Sequence, residues 1–174
     1  MKWFLIFCFL LPLNLYAERD VKKHDDWFDT LDIDDFTDEK VFTVWRWDED
    51  KTNKFSIGYT PNGAYLYLIA INYPYCNFYN DKTTDVLFRV DKNKVFTIPM
   101  RKSPQGLFET DPYEIRDRDM WPDYINYQEK MAKGDILRIR VNDESCKKDL
   151  KFDLQGFDEA IKRLRDGLLN WLSS

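Results

Sequence analysis

The sequence predicts a mainly β fold of the α+β class, an antiparallel β-sandwich or partly open barrel with a C-terminal amphipathic helix packed on it. Short runs of β-branched and aromatic residues recur from Val41 to Leu154, with turn signals about every 8–12 residues. Many of these runs alternate polar and apolar positions, which is the period of a half-buried strand. After Gly156 the period changes to three and four residues, which indicates a helix with one buried face.

The N-terminus predicts export. Lys2 supplies a positive charge, residues 3–13 are almost entirely apolar, and Ala17 is a small residue suited to the position before a cleavage site. The apolar run is shorter than the roughly 20 residues of a membrane span, which favours a cleaved signal peptide over a retained anchor. Cleavage after Ala17 would leave about one ordinary domain, with a net charge one unit more negative than the −5 of the full chain. We therefore expect a periplasmic or secreted protein.

Two of the three cysteines, Cys76 and Cys146, lie beyond this signal peptide. An even number of cysteines in an exported chain predicts one disulfide, and two buried free thiols are the alternative. A catalytic thiol is less expected, because the only histidine, His24, lies in a polar segment near the new N-terminus.

Residues 18–40 form an acidic N-terminal segment in which aromatic and aliphatic residues are interleaved with many carboxylates. The spacing does not match a calcium-binding loop of the EF-hand type, which needs glycine at its sixth position and glutamate at its twelfth. The run that begins at Asp48 also fails this test, with Asn53 and Tyr59 at those positions. We interpret both as solvated turns, and we expect no metal and no cofactor.

A single β-rich domain is predicted over residues 41–174. Its first three strands, Val41–Trp47, Phe55–Tyr59 and Ala64–Ile71, suggest an antiparallel meander. The third of these strands is apolar on both faces, so it should be a covered, central strand. Pro61-Asn62-Gly63 supplies the turn before it.

The second half of the domain predicts a hairpin, a short strand, a short helix, two more strands and the terminal helix. Pro99 should end the second strand of the hairpin or confine it to an edge. The segments are Asp85–Asp91, Val95–Ile98, Leu107–Glu109, Tyr124–Lys133, Asp135–Val141, Leu150–Leu154 and Phe157–Leu172. One stripe of the terminal helix is apolar: Phe157, Ala160, Ile161, Leu164, Leu168 and Trp171.

The sequence offers little catalytic chemistry. It contains no glycine-rich phosphate loop and no clustered zinc ligands, and a nucleophile would have only His24 as its base. The acidic balance argues against nucleic acid and anionic membranes as partners. A pair of carboxylates cannot be recognised from sequence, so a small secreted glycan hydrolase stays as the alternative function.

Aromatic residues make up 17% of the chain and suggest a binding surface. Trp45 and Trp47 share one strand face, but we expect these tryptophans to fill the core rather than to bind a ligand. Four aromatic residues crowd into the polar loop around Cys76, where burial is harder to arrange. That loop is the candidate binding site, with packing against the sheet edge as the alternative: Tyr73, Tyr75, Phe78 and Tyr79.

Four short segments, taken in order, resemble small exported bacterial proteins of the VasI/TagO-like group, which are accessory to type VI secretion. They are Asp35-Phe36-Thr37-Asp38, Phe88-Arg89-Val90-Asp91, Gly106-Leu107-Phe108 and the run from Phe152 to Ile161. The sequence departs from that group in the position of Cys76, which follows the third strand and not the second. The resemblance implies a periplasmic, non-enzymatic accessory or interaction protein. Phage-encoded exported proteins of this size often act as inhibitors or exclusion factors, which gives a sibling hypothesis. We therefore expect a module that binds another protein in the periplasm or cell envelope.

Overall fold

The computed structural model describes residues 19–33, 40–59, 65–71, 83–103, 107–110, 121–143 and 146–172. These residues form ten strands and two helices. The strands are β1 (Arg19–His24), β2 (Trp27–Ile33), β3 (Lys40–Trp47), β4 (Asn53–Tyr59), β5 (Tyr65–Ile71), β6 (Thr83–Val90), β7 (Phe96–Ser103), β8 (Leu107–Glu109), β9 (Ile136–Asp143) and β10 (Cys146–Asp153). The helices are α1 (Trp121–Ala132) and α2 (Phe157–Leu172). The predicted mainly β fold with a C-terminal helix is confirmed.

All ten strands belong to one antiparallel sheet. Its order is β1-β2-β3-β4-β5-β8-β7-β6-β9-β10. The predicted meander is present as β3, β4 and β5, and β5 is an interior strand with Tyr67, Ile69 and Ile71 buried. The strand β7 continues through Pro99 to Ser103, beyond the end that the sequence predicts. Its neighbour β8 pairs only with residues 101–103, so Pro99 needs no amide hydrogen for that ladder.

The sheet begins earlier than the first predicted strand at Val41. Residues 19–33 form the hairpin β1–β2, which pairs with β3 through Phe28 and Trp45. Trp27 is fully buried and Asp29 is 4% exposed. Part of the segment that we interpret from sequence as acidic and solvated therefore belongs to the sheet.

The sheet coils so that its two ends share one core. Phe55 on β4 lies 6.2 Å from Phe88 on β6 and 5.8 Å from Phe152 on β10, measured between ring centroids. Trp27 on β2 donates from Nε1 to the carbonyl oxygen of Asp153 at the end of β10, at 2.9 Å. This side-chain bond joins the two ends of the sheet, as expected for a partly open barrel.

Helix α2 covers the β1–β4 part of the sheet through its predicted apolar stripe. Phe157, Ala160, Ile161 and Leu164 are buried, and the Phe157 ring lies 4.7 Å from that of Trp27. Gly156 starts the helix with φ +82°, and a Cβ there would collide with the carbonyl oxygen of His24. Only glycine meets both requirements without strain.

Helix α1 packs near the β6–β7 turn, where Tyr127 stacks on Phe96 with ring centroids 4.0 Å apart. The Gly134 amide donates to the carbonyl oxygen of Met131 just beyond the helix, close to the predicted helix end. No helix in the described ranges is both long and apolar enough to cross a membrane.

Candidate functional site

The outer face of β6, β9 and β10 carries a groove of about 380 Å³. Strand alternation explains why these side chains are available, since their neighbours Phe88, Ile139 and Leu150 point into the core. On one side the groove has an apolar wall of Leu87 and Val95, and Val95 is 45% exposed. The remaining outward-facing side chains are charged: Arg89, Arg138, Arg140, Asp149 and Lys151.

Three cations cross the groove in one row. Arg89 on β6 is directly opposite Arg138 on β9, and Arg138 is directly opposite Lys151 on β10. Neighbouring strands are about 4.8 Å apart, so this cation row spans roughly 10 Å. Like charges directly opposite each other destabilise a sheet, and the row therefore has a cost within the isolated protein.

The two arginines of the cation row are held by backbone carbonyl groups. Arg89 donates from Nη2 to the carbonyl oxygen of Lys92, and Arg138 donates from Nη1 to that of Asp91, both at 3.3 Å. Because these acceptors are consecutive residues of the β6–β7 turn, both guanidinium groups lean toward the same end of the groove. Within the described residues, neither arginine has a carboxylate partner.

The carboxylate of Asp91, in the same turn, has other partners. Its Oδ1 and Oδ2 accept hydrogen bonds from the backbone amides of Asp135 and Ile136, at 2.8–3.2 Å. Asp91 itself has φ +51°, a left-handed conformation that aspartate tolerates in turns. The turn therefore fixes the start of β9, and it presents carbonyl oxygens rather than a carboxylate to Arg89 and Arg138.

Lys151, the third cation, has only a weak partner. Its Nζ lies 3.9 Å from Glu49 Oε1, and the two side chains are 57% and 82% exposed. An ion pair this exposed contributes little to stability and is easily exchanged.

The next row of the same face is neutralised. Arg140 donates from Nε and Nη2 to the two oxygens of Asp149, at 2.7 and 2.8 Å. This bidentate pair raises the pKa of Arg140 and lowers the pKa of Asp149, mainly through the hydrogen bonds and then through the opposite charges. The groove thus has a cation row with at most one weak ion pair among the described residues, beside one matched pair and an apolar wall. This arrangement can hold an anionic group next to an apolar one.

The aromatic loop residues chosen from sequence, Tyr73, Tyr75, Phe78 and Tyr79, lie outside the described residues, as does Cys76. Cys146 is described only by its backbone pairing with Asp143. The disulfide and the aromatic binding loop therefore stay predictions.

The expectation that Trp45 and Trp47 fill the core is wrong. Trp45 lies on the outer face, with its ring stacked 4.4 Å from that of Phe28 and the Lys54 ammonium 4.5 Å from its centroid. Burial, and then the charge of Arg19, lowers the pKa of Lys54. Trp47 is 41% exposed. The inward positions next to them on β3 are taken by Val44 and Arg46, because strand alternation places adjacent residues on opposite faces.

His24 is an ordered part of β1, in a network that joins β1 and β2 to α2. Its Nε2 lies 2.8 Å from Asp29 Oδ2, while Arg163 donates to Asp29 Oδ1 at 2.9 Å and to Asp20 at 2.5 Å. Burial opposes the charge of Arg163, but the hydrogen bonds to Asp29 and Asp20 outweigh it and raise the pKa of the guanidinium. We call this network, with the α2 stripe beneath it, the seam.

A polar recess beside the seam brings three acids together, Asp25, Asp26 and Asp153, as a carboxylate-dependent hydrolase would need. Two of them have structural partners. Asp26 pairs with Arg46 at 3.3 Å, and Asp153 Oδ1 accepts the backbone amide of Gln155 at 2.8 Å. Among the described residues, no group of three or more histidine, cysteine or acidic side chains could hold a metal ion.

Sequence reasoning missed Arg89 and Arg138 as site residues. Alternation correctly places them on the polar face of their strands, but such positions are usually solvated. Their significance comes from the β6–β9 register, which pairs residues 49 positions apart and has no local signal in the sequence.

Comparison with solved structures identifies a similar fold in the crystal structure of invasion associated protein B from Bartonella henselae. The two chains are 18% identical, the TM-score is 0.55, and the match covers 84% of this chain and 95% of that one. No family model matches the chain, and no curated protein matches it. The solved structure therefore supports the fold, while the resemblance to VasI/TagO-like proteins stays a prediction.

Proposed function

We propose that this protein is exported and acts in the periplasm or cell envelope as a non-enzymatic module that binds another protein. The observation that supports this most is the outer groove, where an apolar wall of Leu87 and Val95 lies beside the arginines of the cation row. Arginine is enriched in protein interfaces, and the buried centre of an interface is more apolar than its rim. Arginine is also among the few residue types that often supply most of the binding energy. A secretion accessory and an inhibitor or exclusion factor are two forms that this binding would take.

Export is the first part of the proposal to test. We expect the mature chain to begin after Ala17 and to contain a disulfide between Cys76 and Cys146. Intact mass of the exported protein reports the cleavage site directly. Alkylation with and without prior reduction reports the thiols, and two alkylated cysteines in the unreduced sample would contradict the disulfide.

Position-specific crosslinking tests the groove as a binding surface. A photoreactive residue at Val95, on the groove wall, should capture a discrete envelope partner when the protein carries its export signal. Val21 on β1 is a matched control, because it is similarly exposed, 47% against 45%, and lies on another part of the sheet. We expect the crosslink at Val95, none at Val21, and none at either position when residues 1–17 are deleted.

Two outcomes would contradict this proposal. Equal capture at Val95 and Val21 would mean that the groove has no special role. Release of reducing ends from cell-wall glycan by the purified protein, lost in an Asp26→Asn variant, would favour the hydrolase instead.

The aromatic loop remains a second proposed contact region. Replacing Tyr75 and Tyr79 with serine should leave the thermal stability unchanged and reduce co-purification of the partner without crosslinking, because truncation of an aromatic anchor often costs about 2 kcal/mol or more of binding free energy. A large fall in melting temperature would instead indicate that these rings are core residues.

A further inference from the structure

We propose that the outer groove recognises an extended acidic segment of the partner protein, with an apolar side chain next to its carboxylates. This inference rests on the proposed binding function and adds the chemistry of the partner. It starts from the cation row Arg89, Arg138 and Lys151, in which three positive charges are aligned across strands in a protein whose net charge is −5.

The arrangement of the row favours carboxylates as ligands. A guanidinium group offers several donors in a planar fork that matches the two oxygens of a carboxylate. Arg89 and Arg138 each donate a hydrogen bond to a carbonyl oxygen, which orients the guanidinium group without neutralising its charge. A carboxylate placed between them would remove the repulsion between two opposed cations, and the sheet would then lose a source of strain on binding.

The apolar wall limits what else the ligand contains. Leu87 and Val95 lie on the β6 side of the groove, next to Arg89, and the neutral pair Arg140–Asp149 forms the adjacent row. A ligand made only of charged groups would leave Val95 exposed. An extended peptide places alternate side chains on one face about 6.6–6.8 Å apart, so two of them fit within the roughly 10 Å cation row.

A peptide fits better than a polyanion. Nucleic acid and anionic vesicles present repeated charges well beyond a three-cation row, and the net charge of −5 on the chain as a whole opposes the approach of a large polyanion. Asp149 and Glu49 already border the row. A short acidic segment would be attracted by the cation row and is too small to experience the repulsion from the rest of the protein.

The test uses the purified exported protein and a labelled peptide with two glutamates and then a leucine at alternate positions, and fluorescence anisotropy measures the binding. A peptide with glutamine in place of glutamate should bind at least about tenfold more weakly, and binding should weaken as salt is raised. Replacing the leucine with serine should also reduce binding, because the apolar wall then has no partner.

Three variants locate the site. Arg89→Gln combined with Arg138→Gln should weaken peptide binding by about tenfold. Lys162→Gln, at an exposed position of α2, should change it by less than about twofold. Asp149→Asn should tighten binding by about threefold, since it releases Arg140 as a further cation. This predicted gain cannot be produced by misfolding.

Several outcomes would overturn the inference. Equal affinity for the glutamate and glutamine peptides would exclude recognition by charge. Tighter arginine-dependent binding of a single-stranded oligonucleotide or an anionic vesicle would assign the row to phosphate-bearing partners. A concentration-dependent dimer that dissociates in the Arg89→Gln, Arg138→Gln variant would assign the groove to a second copy of this chain.

The inference can fail while the proposed function stands. If the Val95 crosslink persists unchanged in the double arginine variant and at high salt, the groove binds a protein, but not through its acidic groups. If the Val95 crosslink is absent and the peptide still binds with the expected charge dependence, the recognition chemistry holds without the envelope partner.

Discussion

The seam and the groove use arginine in opposite ways. Arg163 in the seam reaches two carboxylates, Asp29 and Asp20, and its side chain is 23% exposed. Arg89 and Arg138 in the groove are exposed, and they bond to carbonyl oxygens of a turn. The first arrangement holds secondary structure elements together, while the second leaves positive charge available to a ligand. The difference favours a stabilising role for the seam and fits the binding role that we propose for the groove.

Truncation of a side chain on the apolar side of the seam should have the largest effect on the free energy of unfolding. Leu164→Ala should lower the free energy of unfolding by about 2–5 kcal/mol, because Leu164 is 1% exposed and its truncation leaves a cavity under α2. Lys162→Ala, at an exposed position of the same helix, should change it by less than about 0.5 kcal/mol. Urea denaturation measures both, and equal small effects would mean that α2 does not hold the sheet.

Removing the buried acid of the seam should have the next largest effect. Asp29→Ala leaves His24 and Arg163 without their shared partner, and we expect a loss of about 3 kcal/mol in unfolding free energy. Asp32→Ala is the matched control, since Asp32 is a more exposed acid on the same strand that pairs with Arg19. A loss as large at Asp32 would contradict the special role of the seam.

The matched pair of the groove face predicts a smaller, pH-dependent effect. The pKa of Asp149 is lowered, so the stability that it contributes is present above the unfolded value of about 3.9 and is lost as pH falls through the folded value. The pair is exposed, so screening by solvent keeps this contribution small. Urea denaturation should show a larger stability difference between the wild type and Asp149→Asn at pH 7 than at pH 3.

Replacing the two arginines of the cation row should have the smallest effect on stability, and it tests most directly whether the groove differs from the seam. The Arg89→Gln, Arg138→Gln variant should unfold within about 0.5 kcal/mol of the wild type, or be slightly more stable, because it removes a like-charge contact. A loss of 2 kcal/mol or more in urea denaturation would show that the cation row is structural, and the groove would then lose its distinction from the seam.

The terminal helix and most strands could be predicted because their signals are local. The stripe from Phe157 to Leu164 predicts the buried face of α2, and alternation in β6 and β9 predicts which side chains enter the core. The hairpin β1–β2 escaped prediction because Asp29 occupies an inward position where the pattern calls for an apolar residue. Arg163, the partner of Asp29, lies 134 residues away, so the local sequence around Asp29 gives no sign that this acid is buried.

The groove was less predictable for a related reason. Arg89, Arg138 and Lys151 each look like an ordinary solvated position in a strand, and only the strand register aligns them. The outward stacking of Trp45 on Phe28 was missed because aromatic residues in strands most often pack inward, and the cover supplied by Lys54 depends on β4.

The contact between Trp27 and Asp153 has a consequence for how the chain acquires its structure. The two residues are 126 positions apart, and the bonds from Arg163 to Asp29 and Asp20 span 134 and 143 positions. A ribosome completes the β1–β2 hairpin long before it makes β10 and α2, so during synthesis Trp27 lacks Asp153, and Asp29 and Asp20 lack Arg163. Contacts so distant in sequence slow folding, because the loop between them must close before they contribute. We therefore expect nascent chains that end before residue 153 to expose Trp27 to chaperones and proteases. This exposure should end only after β10 and α2 have been synthesised.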